Sequence, residues 1–161
     1  ELTRVKAQYK DRFNPDSLQK YLDEDISVLF HSLLKENGIT DISKDELDSL
    51  KLEVGDSVAS HKEYFKSLRP HELAEKYELK FDYDELDTTQ SASYPSGHTT
   101  QAYYVALNLT KKYPELKDSF FFVAKMIAES RIDRGVHFYS DNDAGIVLAK
   151  ILFNKKQSGS L

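Results

Sequence analysis

Apolar residues recur at three-to-four spacing through most of this chain. Leu18, Tyr21, Leu22, Ile26, Leu29, Phe30, Leu33 and Leu34 form one stripe, opened by Asn14 and Pro15 and stopped at Gly38, which predicts an amphipathic helix. A second helix is predicted from Ser43, where Ser43 and Glu46 have the spacing of a reciprocal N-terminal cap. Val58, Phe65 and Leu68 follow along it before Pro70 ends it. Lys62 and Arg69 stand seven residues apart on that helix, about two turns, so both cations are expected on nearly the same face. Residues Pro70 to Tyr77 read as one or two short helical turns with Leu73 and Tyr77 inward.

From Glu78 to Gly97 the periodicity disappears into a run of acidic and hydroxyl residues, which predicts a loop. Helical spacing returns after Gly97 with Ala102, Val105, Ala106 and Leu109, up to a stop at Pro114, and His98 falls in the first turn. A further helix is predicted from about Glu115 to Ile132 through Phe120, Val123, Ala124 and Ile127, with Arg131 one turn on and Gly135 as terminator. Ser140 with Asp143 predicts the cap of a last helix through Ile146, Leu148, Ile151 and Leu152, and the tail from Asn154 to Leu161 reads as frayed. The predicted fold is all-α: a single-domain helical bundle of about five or six helices over residues 1–161.

Composition narrows the function classes. The 161 residues are 40% hydrophobic and 12% aromatic, enough for one core. A net charge of −5 with mixed signs lacks the basic face of a nucleic-acid binder. There is no cysteine, which removes disulfides and thiolate metal sites. The longest apolar stretches, Phe120 to Ala128 and Ala144 to Phe153, are each interrupted by a lysine and fall well short of the roughly 20 residues a membrane span requires. Glu1 is preceded by neither Met nor a basic-then-apolar leader, which fits a removed signal peptide and equally the lack of one.

The chemistry is concentrated in three blocks. Lys62, Arg69 and Pro70 form the first; Pro95, Ser96, Gly97 and His98 the second; Ser130, Arg131, His137 and Asp141 the third. Six residues separate Lys62 from Arg69, five separate Arg131 from His137, and three separate His137 from Asp141. At about 5% usage per residue type, a given four-letter match arises on the order of once in a thousand chains of this size, and three blocks in order are rarer still. A phosphoryl group in transfer spreads negative charge over its oxygens, and Lys62, Arg69 and Arg131 are of the type that answers it. Gly97 admits close backbone approach, and the N–H groups of Gly97 and His98 at a helix start, beside the Ser96 hydroxyl, suit an anion. Two histidines permit division of labour between nucleophile and acid. Asp141 can reach the far ring nitrogen of His137 if the segment is helical. The five histidines show no His-x3-His pair or comparable ligand spacing, so no metal is expected. Tyr94 and Tyr139, beside motif residues, are candidate pocket walls, while His31, His61 and His71 read as structural or surface residues.

These blocks resemble the signature of the acid phosphatase/vanadium haloperoxidase superfamily, also called the type 2 phosphatidic acid phosphatase family: Lys-x6-Arg-Pro, Pro-Ser-Gly-His, Ser-Arg-x5-His-x3-Asp. The resemblance covers about residues 60–150 and is nearest to the soluble bacterial-type acid phosphatases. It implies a metal-independent phosphomonoesterase in which His137 forms a phosphohistidine intermediate, His98 is the general acid and Asp141 braces His137. Lys62, Arg69, Ser96, Gly97 and Arg131 then bind phosphate. The implied partner is a small phosphoester, and vanadate is implied as an inhibitor. A homodimer and a periplasmic or secreted location are further expectations from the resemblance, with a cytoplasmic location if no leader existed. Three alternatives stand beside this reading: a haloperoxidase with vanadate as prosthetic group, a lipid phosphate or diphosphate phosphatase, and a non-catalytic module that binds phosphate.

Overall fold

The computed structural model describes residues 22–159. The predicted residues of the first helix up to Tyr21 lie outside that range. Within it the fold is all-helical, with no strand among the described residues. Among the described residues, 22–24 are helical and seven complete α-helices follow in order: α1 (Ile26–Glu36), α2 (Lys44–Leu52), α3 (Gly55–Phe65), α4 (Pro70–Lys76), α5 (Gly97–Lys112), α6 (Lys117–Asp133) and α7 (Tyr139–Gln157). Helix α5 is the central element, packed along α6 on one side and α7 on the other.

The core follows from the stripes. Ile26, Phe30 and Leu34 of α1 meet Leu47 of α2, Ala102, Val105, Ala106 and Leu109 of α5, and Phe120, Val123, Ala124 and Ile127 of α6 in one buried cluster. A second cluster joins Val54 and Val58 to Tyr104 of α5 and Leu148, Ala149 and Leu152 of α7. Phe30, Leu34, Leu47, Phe120 and Ile127 are fully buried. Truncating any one to alanine would forfeit about 2–5 kcal/mol.

Where the first predicted helix is described, it is interrupted. Asp25 leaves the helical conformation and caps α1 by accepting the Ser27 N–H. The second predicted helix is divided as well. Its start holds, since Ser43 and Glu46 make the reciprocal cap. The chain then bends at Glu53 and Val54, where Val54 turns fully into the core and Gly55, a poor helix former, opens α3.

The expectation that Lys62 and Arg69 share one helix face is corrected here. Helix α3 ends at Phe65, Lys66 adopts a left-handed conformation with φ +47°, and Arg69 is extended (φ −75°, ψ 163°) as the N-cap of α4. The reason is Pro70, whose ring excludes the α conformation from the residue before it and fits the first position of the next helix. Glu72 accepts the Arg69 N–H at 2.6 Å, which fixes the turn. The start of α7 is also corrected. Its cap is not Ser140 with Asp143: Phe138 occupies the cap position and Asp141 accepts the Phe138 N–H at 2.9 Å. The tail expected to fray is helical through Gln157. The stretch from 78 to 96 is non-helical apart from one 3-10 turn at Asp87–Thr89, and α5 opens at Gly97, as expected.

Candidate active site

Helix α5 begins at the site because Ser96 caps it. Ser96 is fully buried, and its hydroxyl accepts the Thr99 N–H while donating to Thr99 Oγ1 at 3.0 Å. Thr99 in turn donates to Asn142 Oδ1 at 2.7 Å, and Asn142 donates to the Ala128 carbonyl at 2.7 Å. This polar chain ties α5, α7 and α6 together at one end of the bundle. Close helix approach depends on Gly145. A Cβ there would sit 2.9 Å from the Ser96 carbonyl oxygen and 3.1 Å from Thr99 Cβ. Gly97 lies against Lys62, the position of its absent Cβ being 4.0 Å from Lys62 Cε.

Helix α6 delivers Arg131 in its last turn, and Gly135 reverses the chain at φ +69° beneath Phe81 and Tyr83. His137 then lies two residues before α7, and Asp141 lies in the first turn of that helix. The contact expected of this pair is made, though not on a helical turn, since Phe138 between them is extended (φ −87°, ψ 160°). His137 Nδ1 donates to Asp141 Oδ2 at 3.0 Å, and the same oxygen accepts the Ser93 hydroxyl at 2.6 Å and the Phe138 N–H. With Nδ1 protonated, Nε2 keeps its lone pair, and it lies 3.4 Å from an Arg69 guanidinium nitrogen.

The cations approach from separate segments. Arg69 donates through Nε to the Ser91 carbonyl at 2.9 Å and through NH1 to the Val136 carbonyl at 2.8 Å. Lys62 donates to the carbonyl of Ala92, and at 3.4 Å to that of Ser93. Arg131 is paired with Asp23 and donates to the Thr88 hydroxyl at 3.2 Å. His98 donates from Nε2 to the Asp23 backbone carbonyl at 2.7 Å. The structure therefore brings Lys62, Arg69, Ser96, Gly97, His98, Arg131, His137 and Asp141 to one end of the bundle. Arg69, Arg131 and His137 are almost wholly buried there.

Burial and mutual repulsion set the acidities. Burial, then Arg69, pulls Lys62 down to about 8. Burial, then Arg131, pulls Arg69 down to about 10. His137 is driven well below the usual imidazole value by burial first and then by Arg69, Arg131 and Lys62. His98 is lowered by burial and Arg131, against the pull of Asp23. Asp141 is raised by burial, which its bonds from Ser93 and Phe138 only partly offset. Burial alone would raise Asp23, yet Arg131 and His98 bring it below the usual carboxylate range. Both imidazoles are therefore neutral in the ligand-free protein, among cations that repel one another.

A cleft of about 1060 Å³ opens beside this group, reaching it at Lys62 and Ala92 and continuing past Gln101, His71 and Tyr83. Tyr83 stacks on His71 with ring centroids 4.2 Å apart, so His71 is a wall residue of the cleft. Tyr94 and Tyr139 do not line it. Tyr94 packs edge-on against Phe65 at 4.9 Å. Sequence reasoning missed Asp23, Thr88, Ser93, Thr99 and Asn142. None of the five stands out locally: even Asn142, next to Asp141, lies among Ser140, Asp141 and Asp143 at the polar start of the last helix.

Fold and site together define a class: all-helical proteins in which a carboxylate-braced imidazole lies among buried cations at the helix ends. The chain belongs to the PAP2 superfamily, whose family profile matches residues 52–154 and so includes all three motif blocks. It is similar to the non-specific acid phosphatases of Salmonella typhimurium (strain LT2) and Salmonella typhi, each 31% identical over 102 residues, covering 63% of this chain and 40% of the relative. It is also similar to the acid phosphatase of Zymomonas mobilis, 38% identical over 60 residues, covering 37% of this chain and 23% of that protein. The chain thus matches about two fifths of the length of the Salmonella relatives. No helix among the described residues is long and apolar enough to cross a membrane.

Proposed function

We propose that this protein hydrolyses phosphomonoesters in two steps through a phosphohistidine. The observation that carries the reading is the state of His137: Nδ1–H is committed to Asp141 at 3.0 Å, and the Nε2 lone pair faces a buried cation field. In the first step Nε2 attacks phosphorus and the ester P–O bond breaks. The departing oxygen takes a proton from His98, which a bound dianion converts to the imidazolium by opposing the cations that otherwise suppress it. In the second step His98 takes a proton from water as the water oxygen attacks phosphorus. The N–P bond breaks and orthophosphate leaves. Lys62, Arg69, Arg131 and the N–H groups at the start of α5 stabilise the equatorial oxygens, with Ser96 and Gly97 placing those groups. Asp141 stabilises the imidazolium character that His137 acquires.

The Salmonella relatives are named non-specific acid phosphatases, which supports a phosphoester substrate taken without narrow selection. The test is hydrolysis of p-nitrophenyl phosphate at mildly acidic pH with excess chelator, comparing wild type with His137→Ala. Turnover that resists chelator, is inhibited by vanadate and disappears in a folded His137→Ala variant is the expected result. Full activity in that variant refutes the phosphohistidine step.

A further inference from the structure

Asp23 lies outside the three motif blocks, yet two of its groups reach two residues of the site. Its backbone carbonyl accepts from His98 Nε2 at 2.7 Å, and because a carbonyl only accepts, Nε2 must carry the hydrogen. Its carboxylate stands 3.7 Å from the same nitrogen, accepts the Thr88 hydroxyl at 3.0 Å and is paired with NH1 of Arg131. NH2 of Arg131 donates to Thr88. The guanidinium is held through NH1 and NH2, while its buried Nε has no hydrogen-bond partner among the described residues. A buried N–H without a partner is costly, which is expected where a ligand supplies the acceptor.

We propose, on the phosphoryl-transfer reading above, that Asp23 is a positioning residue for both steps. Its carbonyl fixes His98 so that Nδ1 is the nitrogen that exchanges a proton with the ester oxygen, and its carboxylate holds Arg131 with Nε turned to the phosphoryl group. A carboxylate beside an arginine can also stand in for the substrate anion. Two observations favour positioning: the free Nε of Arg131, and the tie from His98 to a main-chain carbonyl, which an arriving phosphate cannot replace without moving the chain. The charges acting on His98 are Asp23, which favours the imidazolium, and Arg131, Lys62 and His137, which oppose it. Removing the Asp23 charge therefore weakens His98 as an acid at any pH where it must first be protonated.

The experiment compares Asp23→Asn with wild type on p-nitrophenyl phosphate, whose leaving group needs little protonation, and on an alkyl phosphate, whose leaving group needs it fully. The alkyl-to-aryl ratio of kcat is expected to fall roughly tenfold, the basic limb of kcat to move to lower pH, and vanadate to inhibit more weakly. Equal losses on both esters in a folded variant, or tighter vanadate binding, overturn the proposal. The second outcome would identify Asp23 as an occupant of the anion's place. Nitrogen NMR of the wild-type imidazoles tests it without a variant: His98 is expected in the Nε2–H form, and the Nδ1–H form refutes the carbonyl tie. If wild type turns over no ester, the phosphatase reading fails by itself, while vanadate affinity in Asp23→Asn still decides the Arg131 half of the proposal.

Discussion

Acidification should destabilise the ligand-free protein across a window where carboxylates ordinarily change little. His98 and His137 are both held neutral in the fold, by burial first and neighbouring cations next. In the unfolded chain each titrates near 6.5. A group whose folded pKa is depressed contributes stability above its unfolded pKa and loses it as pH falls, because the unfolded state takes up the proton first. Between pH 7.5 and 5.5 each histidine forfeits on the order of 1 kcal/mol, and the pair together about 2–3 kcal/mol. His71, half-buried and lowered by burial, adds in the same direction, while Asp141, raised by burial, works with opposite sign. Against a usual stability of about 5–15 kcal/mol this is a large share. Urea unfolding at the two pH values, in buffers free of phosphate, should show the midpoint falling with an unchanged slope. His137→Gln should remove about half of the dependence, and added orthophosphate should flatten it by favouring the charged imidazoles. A midpoint that stays constant from pH 7.5 to 5.5, or a dependence untouched by His137→Gln, would refute the assignment of neutral buried imidazoles.

Three substitutions probe the supports of the site. Gly145→Ala places a methyl group 2.9 Å from the Ser96 carbonyl, so α7 must shift from α5; about 1–3 kcal/mol of stability and part of kcat/KM should be lost, as read by unfolding and p-nitrophenyl phosphate turnover. Ser93→Ala removes the 2.6 Å bond that helps keep Asp141 ionised, so the acidic limb of the kcat profile should move to higher pH; an unmoved limb would separate Asp141 from that limb. Arg69→Lys cannot serve the Ser91 and Val136 carbonyls and an anion from one compact charge, so vanadate inhibition should weaken by roughly tenfold or more, measured as an inhibition constant.

The elements that were legible in the sequence are those specified by local rules. Apolar spacing located α5 and α6, the Ser43–Glu46 pair located the start of α2, and Gly97 marked the start of the helix that carries His98. The motif spacing foretold that His137 meets Asp141, but the contact is made across the extended N-cap Phe138 rather than along a helical turn. The errors have local causes too. A seven-residue interval between Lys62 and Arg69 suggested a shared face, while the proline after Arg69 already forbade it. What was not legible is long-range. Asp23 meets Arg131 across 108 residues, and Thr88 meets Asp23 across 65; Arg131 carries a motif, but Asp23 falls between the stripe positions Leu22 and Ile26 and Thr88 in a non-periodic segment, so nothing local announces their meeting. Nothing near Asp23 in the sequence distinguishes it from Glu24 or Asp25; only the packing of the segment before α1 against the end of α6 does.

The motif cations have a structural role before any ligand arrives. Lys62 and Arg69 donate to carbonyls at 91–93 and 136, so the first block holds the segments that carry the second and third. Carbonyl oxygens supply partners but no full negative charge, and burial first, then the nearest guanidinium, lowers Lys62 to about 8 and Arg69 to about 10. The cation cluster is therefore hydrogen-bonded but electrostatically strained. On the proposed function, a compact dianion would relieve that strain without dismantling the carbonyl bonds, since each guanidinium has more donors than the protein occupies. Anion affinity and fold stability would then be coupled through the same side chains: a substitution that removes a motif cation is expected to loosen a segment as well as to weaken vanadate inhibition. Urea unfolding of such a variant, read beside its vanadate inhibition constant, separates the two losses.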